Sequence, residues 1–248
     1  IVPPQKKVLG IGEEIRISKE YIEKYIEGAV MWSAGKDSTA LLAMAREIRP
    51  SVPVYFIDDH EHELTYRYIG YMEGLWSLNL KVIRQEFVLI GGDTLIPFSE
   101  MTPDRFYERA SIDFPDVNKN LLYWTITKIF PLREQVKHKV IFTGMRWDED
   151  IWRRFLNYEE QLVDNQAVQY GETKTRVHPM LHWSEFDILH YLDSNRIPKN
   201  PLYSMGYRSI GDRYTTTKSS DGSERGGRQQ DLQTIIQMAG CGYLQSKA

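Results

Sequence analysis

The sequence predicts an α/β fold, an open, mainly parallel twisted sheet with helices on both faces. Three observations predict it. Apolar runs of strand length recur at 29–32, 52–57 and 80–84, with amphipathic stretches of helical period between them. This βαβαβ spacing implies right-handed crossovers and parallel strands. The first strand passes through a short Ser- and Gly-containing turn straight into a helical pattern, "VMWSAGKDSTALL" at 30–42.

Residues 13–27 set Ile15, Ile17, Ile22, Tyr25 and Ile26 among charges, which reads as an amphipathic leading helix within an N-terminal segment, 1–27. Ala29 to Trp32 reads as a buried strand. Ser38 to Arg49 then places Leu41, Leu42, Ala45 and Ile48 on one helical face and stops before Pro50. Val52 to Ile57 is a second strand closed by Asp58-Asp59, a helix runs to about residue 77, and Leu80 to Arg84 is a third strand. Residues 85–117, with a Gly91-Gly92 turn and prolines at 97, 103 and 115, read as a long irregular connection of the kind that is often functional. Residues 118–137 read as a helix and Lys139 to Thr143 as a strand that ends in Gly144-Met145-Arg146. Ser184 and Asp187 open a helix that reaches Asn195. The α/β domain is therefore expected over 28–203. A polar tail, 204–248, follows, with five Gly and four Arg within 206–228 and a last short helix at about 229–239. It is expected to lie over the site.

At 248 residues, with 42% hydrophobic and 12% aromatic residues, the chain is long enough to bury a full core without disulfides or structural metals. No apolar run approaches a membrane span and the N-terminus carries no secretory pattern. The net charge of −3 gives no global nucleic-acid signature, although a local basic groove can coexist with it. Cys241 is the single cysteine. That excludes internal disulfides and Cys-rich zinc or iron–sulfur sites, and suits a reducing compartment. The expectation is a cytoplasmic protein with no membrane contact.

A strand, a tight turn and a helix N-terminus make an anion site, because backbone N–H groups point outward and the helix dipole favours negative charge. Ser33, Ala34 and Gly35 form the turn, Ser38 and Thr39 add hydroxyls, and Lys36 adds a point charge. Asp37 is the odd member. A carboxylate inside a phosphate cradle repels the ligand unless it orients donors or meets a metal ion.

"SAGKDS" at 33–38 resembles the pyrophosphate loop of the PP-loop ATP pyrophosphatase superfamily. Within it the chain, from about 28 to 244, is similar to the branch of phosphoadenosine phosphosulfate (PAPS) reductases and the small subunit of ATP sulfurylase. This branch includes the PAPS-reductase-like component of DNA phosphorothioation systems. Ala34 stands where many members carry a second Gly. The resemblance implies a Rossmann-like, adenine nucleotide alpha hydrolase-like fold. It also implies ATP as ligand, Mg²⁺ held in part by Asp37, and cleavage between the α and β phosphates.

Further stretches carry the resemblance. Asp58 in "YFIDDHEHE" at 55–63 matches the Asp of the reductases' D-T-G, while Asp59-His60 departs from it. The six residues 58–63 look like metal ligands, but successive residues leaving a strand do not converge. Solvated or nucleotide-facing side chains are expected there instead. "FTGMRWDEDIWRRF" at 142–155 resembles the G-x-R-x-D-E segment of the sulfurylase subunit. Gly144 then permits close backbone approach, Arg146 clamps a phosphate, and Arg153 and Arg154 add charge; Arg–carboxylate pairing with Asp148, Glu149 and Asp150 on a helix is the alternative. In 177–203, Trp183, Ile188, Leu189, Leu192 and Leu202 read as packing, and His182 and His190 as structural. "GYRSIGDRYTT" at 206–216 and "SERGGR" at 223–228 resemble reductase and sulfurylase segments. They imply that Arg208, Arg225 and Arg228, with Arg213, close over a polyanionic nucleotide.

Reductases carry a C-terminal catalytic Cys in E-C-G-[LI]-H. Cys241 in "AGCGYL" lacks the Glu and the His, and Gly242-Tyr243-Leu244 instead suits the sulfurylase-like ending. The leading expectation is accordingly an ATP pyrophosphatase or adenylyl-transfer enzyme of sulfur metabolism. Lys36, Asp37 and Arg146 would be its catalytic residues, and it would activate sulfate or a DNA phosphate. The alternative is a thiol-dependent PAPS or adenosine phosphosulfate (APS) reductase using Cys241 with thioredoxin. A second alternative is a non-catalytic ATP-sensing subunit. Expected partners are an adenine nucleotide, a protein of a sulfur-transfer or DNA-modification complex, DNA itself, and further copies of the chain in a homo-oligomer.

Overall fold

The structure, a computed structural model, describes residues 9–89, 95–113, 115, 116, 119–150, 152–162, 173–214, 216–219, 222–224 and 227. Helix α1 (Ile11–Lys24) precedes strand β1 (Ala29–Met31) and helix α2 (Lys36–Ile48). Strand β2 (Pro53–Ile57), helix α3 (Glu63–Trp76) and strand β3 (Asn79–Ile83) follow at the expected spacing. Nine of the 13 residues of α2, Lys36 and Ser38 to Ala45, are buried. This helix is therefore covered nearly all round, against the sheet on one side and α1 and the later helix on others.

The stretch from 85 onward is more regular than its composition suggests. Strands β4 (Phe87–Leu89) and β5 (Leu95–Pro97) form a separate antiparallel pair. Helix α4 (Pro103–Asp113) begins on Pro103, which reads as a breaker in sequence but is suited to a first helical turn, where its missing N–H is not needed. Phe106 and Ala110 of α4 pack on Tyr123 and Ile126 in a satellite core. The expected helix over 118–137 is present as α5 (Lys119–Trp124), a π turn (Thr125–Ile129) and α6 (Phe130–Gln135). Pro131 has no N–H to offer the carbonyl of Thr127, and widening of the turn beside it is the local answer.

Strand β6 (Val140–Phe142), strand β7 (Glu159–Leu162), strand β8 (Lys174–Val177) and helix α7 (Glu185–Ser194) complete the fold. Ser184 caps α7: its hydroxyl accepts from Asp187 N while Asp187 accepts from Ser184 N. The main sheet runs β3-β2-β1-β6-β8-β7. All its pairs are parallel except β7 with β8. The antiparallel edge comes from β7, whose charged "EEQL" carries no strand-like apolar run. Trp32, Leu41, Leu42, Met44, Phe56, Phe142 and Trp183 lie in the principal core between the sheet and α2. From α1, the Ser18 hydroxyl accepts from Trp183 Nε1 at 3.0 Å, which ties that helix to the segment before α7.

From β1 the chain goes outward to β2 and β3, then returns to β6 on the other flank of β1. The connections leaving β1 and β6 therefore part in opposite directions, which opens the crevice where such sheets take ligands. No helix among the described residues is long and apolar enough to cross a membrane.

Candidate active site

The loop 32–36 stands at one wall of that crevice. Trp32 N still donates to Tyr55 O, so the ladder persists one residue past β1. The chain then turns at Ala34, which has φ 57°. This left-handed conformation favours glycine and costs alanine about 1–2 kcal/mol. The methyl group is nevertheless fully buried, and Asn200 Nδ2 donates to the Ala34 carbonyl at 3.4 Å. Ser33 N donates to the Ser38 hydroxyl at 3.2 Å, which in turn contacts Ser33 Oγ and the Gly35 carbonyl. Thr39 turns away from the crevice: its hydroxyl accepts from Trp32 Nε1 at 3.0 Å inside the core. Of the loop's three hydroxyl residues, then, Thr39 supports the loop from behind.

Gly144, just past β6, forms the other wall. A Cβ on it would lie 2.8 Å from Ser38 N and 2.9 Å from Asp37 C. Only a hydrogen at this position lets the two connections meet. Two residues on, the fully buried Arg146 reaches back across the contact. Its Nε donates to Asp37 Oδ1 at 2.6 Å, its Nη2 donates to Glu224 Oε1, and its Nη1 donates to the Trp183 carbonyl at 3.3 Å. The alternative of Arg–carboxylate pairing is met by Arg153, which pairs with Glu149 and Asp150, while the Arg146 side chain takes this cross-crevice geometry, because 147–149 is a single 3-10 turn. Glu149 turns inward from it to accept from the Arg146 backbone N and from Arg153.

Lys36 completes the cluster and is only 3% exposed. Its Nζ donates to Glu224 Oε1 at 2.5 Å and Asp37 Oδ2 at 3.3 Å, and its backbone N donates to Tyr203 Oη at 2.8 Å. Burial works against the Lys36 ammonium, but Asp37 and Glu224 outweigh it and hold its pKa above the ordinary value. Burial likewise opposes the Asp37 carboxylate, yet Arg146 and Lys36 keep its pKa low. Glu224, sharing the same two cations, is the carboxyl that burial pushes upward, with the charge of Asp37 adding to the effect. Asp37, Glu149 and Glu224 each bring a carboxylate oxygen within 4.8 Å of the others. Three hard oxygens suit Mg²⁺, although the cluster is held here by the guanidinium and the ammonium.

Asp58 lies at the end of β2, outside this cluster. It accepts from Tyr66 Oη at 2.6 Å and from His60 N at 3.2 Å. At 58–63, where solvated or nucleotide-facing side chains are expected, solvation is corrected for the first four residues: Asp58, Asp59, His60 and Glu61 are all buried. Asp59 pairs with Lys128 at 2.7 Å, and Glu61 bridges to Asp212 in the chain beyond α7. His62 caps α3, accepting from Leu64 N. Arg208 pairs with Glu185, whose carboxylate is also 3.7 Å from Lys36 Nζ. His182 packs edge-on to Trp147, and His190 stacks on Phe186. Arg225, Arg228, Cys241 and the expected helix at 229–239 lie outside the described residues.

Sequence reasoning missed three residues of the site: Asn200, Tyr203 and Glu224. Asn200 and Tyr203 sit in "PKNPLY", where only the apolar pattern was legible, and in "SERGGR" the arginines drew attention away from the Glu between them.

A profile of the phosphoadenosine phosphosulfate reductase domain matches residues 27–218. The phosphoadenosine 5'-phosphosulfate reductase of Buchnera aphidicola is 30% identical over 196 residues, spanning 77% of this chain and 70% of that protein. The adenosine 5'-phosphosulfate reductase of Halalkalibacterium halodurans is 29% identical over 214 residues, spanning 85% and 82%. Among solved structures, a PAPS reductase from Candida auris in a phosphate complex aligns with a TM-score of 0.57 at 18% identity, covering 86% of this chain and 100% of that one. An FMN adenylyltransferase from Candida glabrata, in complex with FMN and AMPCPP, aligns with a TM-score of 0.54 at 17% identity, covering 94% and 86%. These structural likenesses speak for the fold; the match over most of the sequence speaks for kinship, and the chain belongs to the phosphoadenosine phosphosulfate reductase domain family, a family of enzymes.

Proposed function

We propose that the chain is a sulfonucleotide reductase, acting on PAPS or APS. The observation that carries this reading is the match of the reductase-domain profile over 27–218, which takes in the crevice from the phosphate loop to Asp212, beside the likeness to PAPS and APS reductases over most of the chain. It reverses the order expected from the sequence, where ATP cleavage led. The nucleotide's phosphate would lie on the N-terminus of α2, against Lys36 and Arg146, with the helix dipole and two cations balancing its charge. Cys241 would be the nucleophile. Its thiolate attacks the sulfonyl sulfur, the S–O bond to the nucleotide breaks, and AMP or adenosine 3',5'-bisphosphate leaves. A thioredoxin thiolate then attacks the Cys241 sulfur and releases sulfite. The electron pair comes from the thioredoxin dithiol, which ends as a disulfide.

A second reading is supported by the Asp37–Glu149–Glu224 group. Those carboxylates would hold Mg²⁺, which neutralises phosphate charge when bound, while ATP is cleaved between its α and β phosphates and an oxyanion takes the adenylyl group. Lys36 and Arg146 would stabilise the departing pyrophosphate, and sulfate or a DNA phosphate would be the acceptor.

The two readings separate in one comparison. The protein is incubated with PAPS or APS plus reduced thioredoxin, and in parallel with α-labelled ATP and Mg²⁺, with and without sulfate or DNA. Sulfite release that Cys241→Ser abolishes establishes the reductase. AMP and pyrophosphate from ATP, with no sulfite from either sulfonucleotide, overturns it in favour of the second reading.

A further inference from the structure

Glu224 stands in the position that an incoming oxyanion needs. Its Oε1 accepts from both Lys36 Nζ and Arg146 Nη2. The Nε of Arg146 is engaged by Asp37 and its Nη1 by the Trp183 carbonyl. A ligand oxygen therefore reaches this guanidinium most directly by taking the place of Glu224. Charge leads to the same conclusion. Lys36 and Arg146 already face Asp37 and Glu224, with Glu185 in addition 3.7 Å from Lys36 Nζ. A phosphate added to that set would meet a like charge in a buried site, which is strongly unfavourable.

The position of Glu224 is built into the chain around it. Three residues beyond, Gly227 O accepts from Thr217 N at 2.7 Å and from Thr217 Oγ1 at 3.1 Å. A Cβ on Gly227 would come 2.0 Å from Thr217 O, so this closure requires glycine. Upstream, Asp212 bridges to Glu61, and Arg213 N donates to His60 O at 2.9 Å, fixing the segment to the rim of the sheet. Burial also disfavours the charged form of Glu224. The carboxylate regains hydration when it leaves, and this offsets part of the loss of its two partners.

We propose that Glu224 is an intramolecular competitor: its carboxylate occupies the oxyanion position of the phosphate loop, and a ligand's phosphate or sulfate binds by displacing it. The proposal rests on the phosphate-loop reading of the site and stands apart from the Mg²⁺-holding role that the second reading gives Glu224. Its prediction is that removing the competitor tightens the site for simple oxyanions.

The test is calorimetric titration of the whole chain with inorganic pyrophosphate in EDTA, comparing wild type, E224Q and E224D. E224Q keeps the shape but removes the charge, and is expected to bind about tenfold more tightly. E224D keeps the charge but is one methylene short of both cations. It is expected to bind about threefold more tightly, and it guards against a folding defect peculiar to the neutral side chain. Affinity equal to wild type or weaker in variants with unchanged near-ultraviolet dichroism overturns the proposal alone. No binding by any of the three proteins overturns the phosphate-loop reading as well. Neither outcome depends on which nucleotide is turned over.

Discussion

Arg146 and Asp37, 109 residues apart in sequence, join across the crevice with Nε donating to Oδ1 at 2.6 Å. Each is the other's principal compensation for burial, and Arg146 serves Glu224 as well. Arg146→Gln should therefore destabilise the protein by about 3–5 kcal/mol, the range for removing one partner of a buried pair. Arg146→Lys should recover little, since a single ammonium cannot replace a planar fork that meets three acceptors. Urea unfolding midpoints read both. A double variant with Asp37→Asn should lose less than the sum of the singles, because the first change already strands the partner.

Gly144→Ala should separate the two walls. The added methyl meets Ser38 N and Asp37 C, which are backbone atoms and cannot swing aside. We expect a loss of about 1–3 kcal/mol and pyrophosphate affinity weaker than wild type. Retained affinity with full stability would show that the connections can part without harm.

Tyr203→Phe should cost about 1 kcal/mol, because its hydroxyl accepts from Lys36 N at the start of α2. The same change leaves the ring under the Lys36 ammonium, 5.7 Å from its centre. Thermal unfolding should fall while the charge of Lys36 is kept.

His178 gives the protein an acid limit. The imidazole is fully buried between Thr143 Oγ1 at 2.6 Å and Glu160 Oε2 at 3.2 Å. Burial carries its pKa from 6.5 down to about 4, against the pull of Glu160. Between those values the unfolded chain binds a proton that the folded chain refuses, so stability falls as pH drops from 6.5 to 4. The full effect is on the order of 3 kcal/mol. Glu160, whose own pKa is held below the ordinary value by His178 and Arg176 despite burial, adds loss in the same direction. Denaturant midpoints across that range should slope steeply in wild type and less so in His178→Gln; equal slopes would assign the acid sensitivity elsewhere.

The parallel core was legible because β1, β2 and β6, in the middle of the sheet, are largely buried and read as apolar runs between helices. The phosphate loop was legible because its six residues sit between a strand and a helix. Strand β7 escaped notice, since an edge strand needs fewer apolar residues and one of the two buried places in "EEQL" is taken by Glu160. Helix α4 was hidden by Pro103, whose meaning depends on whether it begins a helix or ends one. At the site, Lys36, Asp37, Gly144 and Arg146 were read as candidates, but not which of them touch. The contact of Asp37 with Arg146 depends on sheet order, and sheet order is not a local property of the chain. Tyr203 and Glu224 reach the loop from 167 and 188 residues away, distances over which no sequence period operates.

The parting of the chain at β1 and β6 has a consequence for folding. The first three strands and α2 can assemble from local crossovers, but the guanidinium that completes the anion site arrives with β6, after a closure of 109 residues. The cradle and its counter-charge thus belong to different stages of assembly. A phosphate ligand that needs both binds the finished sheet in preference to any half-built one, and each tenfold of excess over its dissociation constant adds about 1.4 kcal/mol to the finished state. Ligand occupancy becomes a readout of topology: a chain arrested before β6 docks would hold a phosphate loop in outline and fail to retain phosphate.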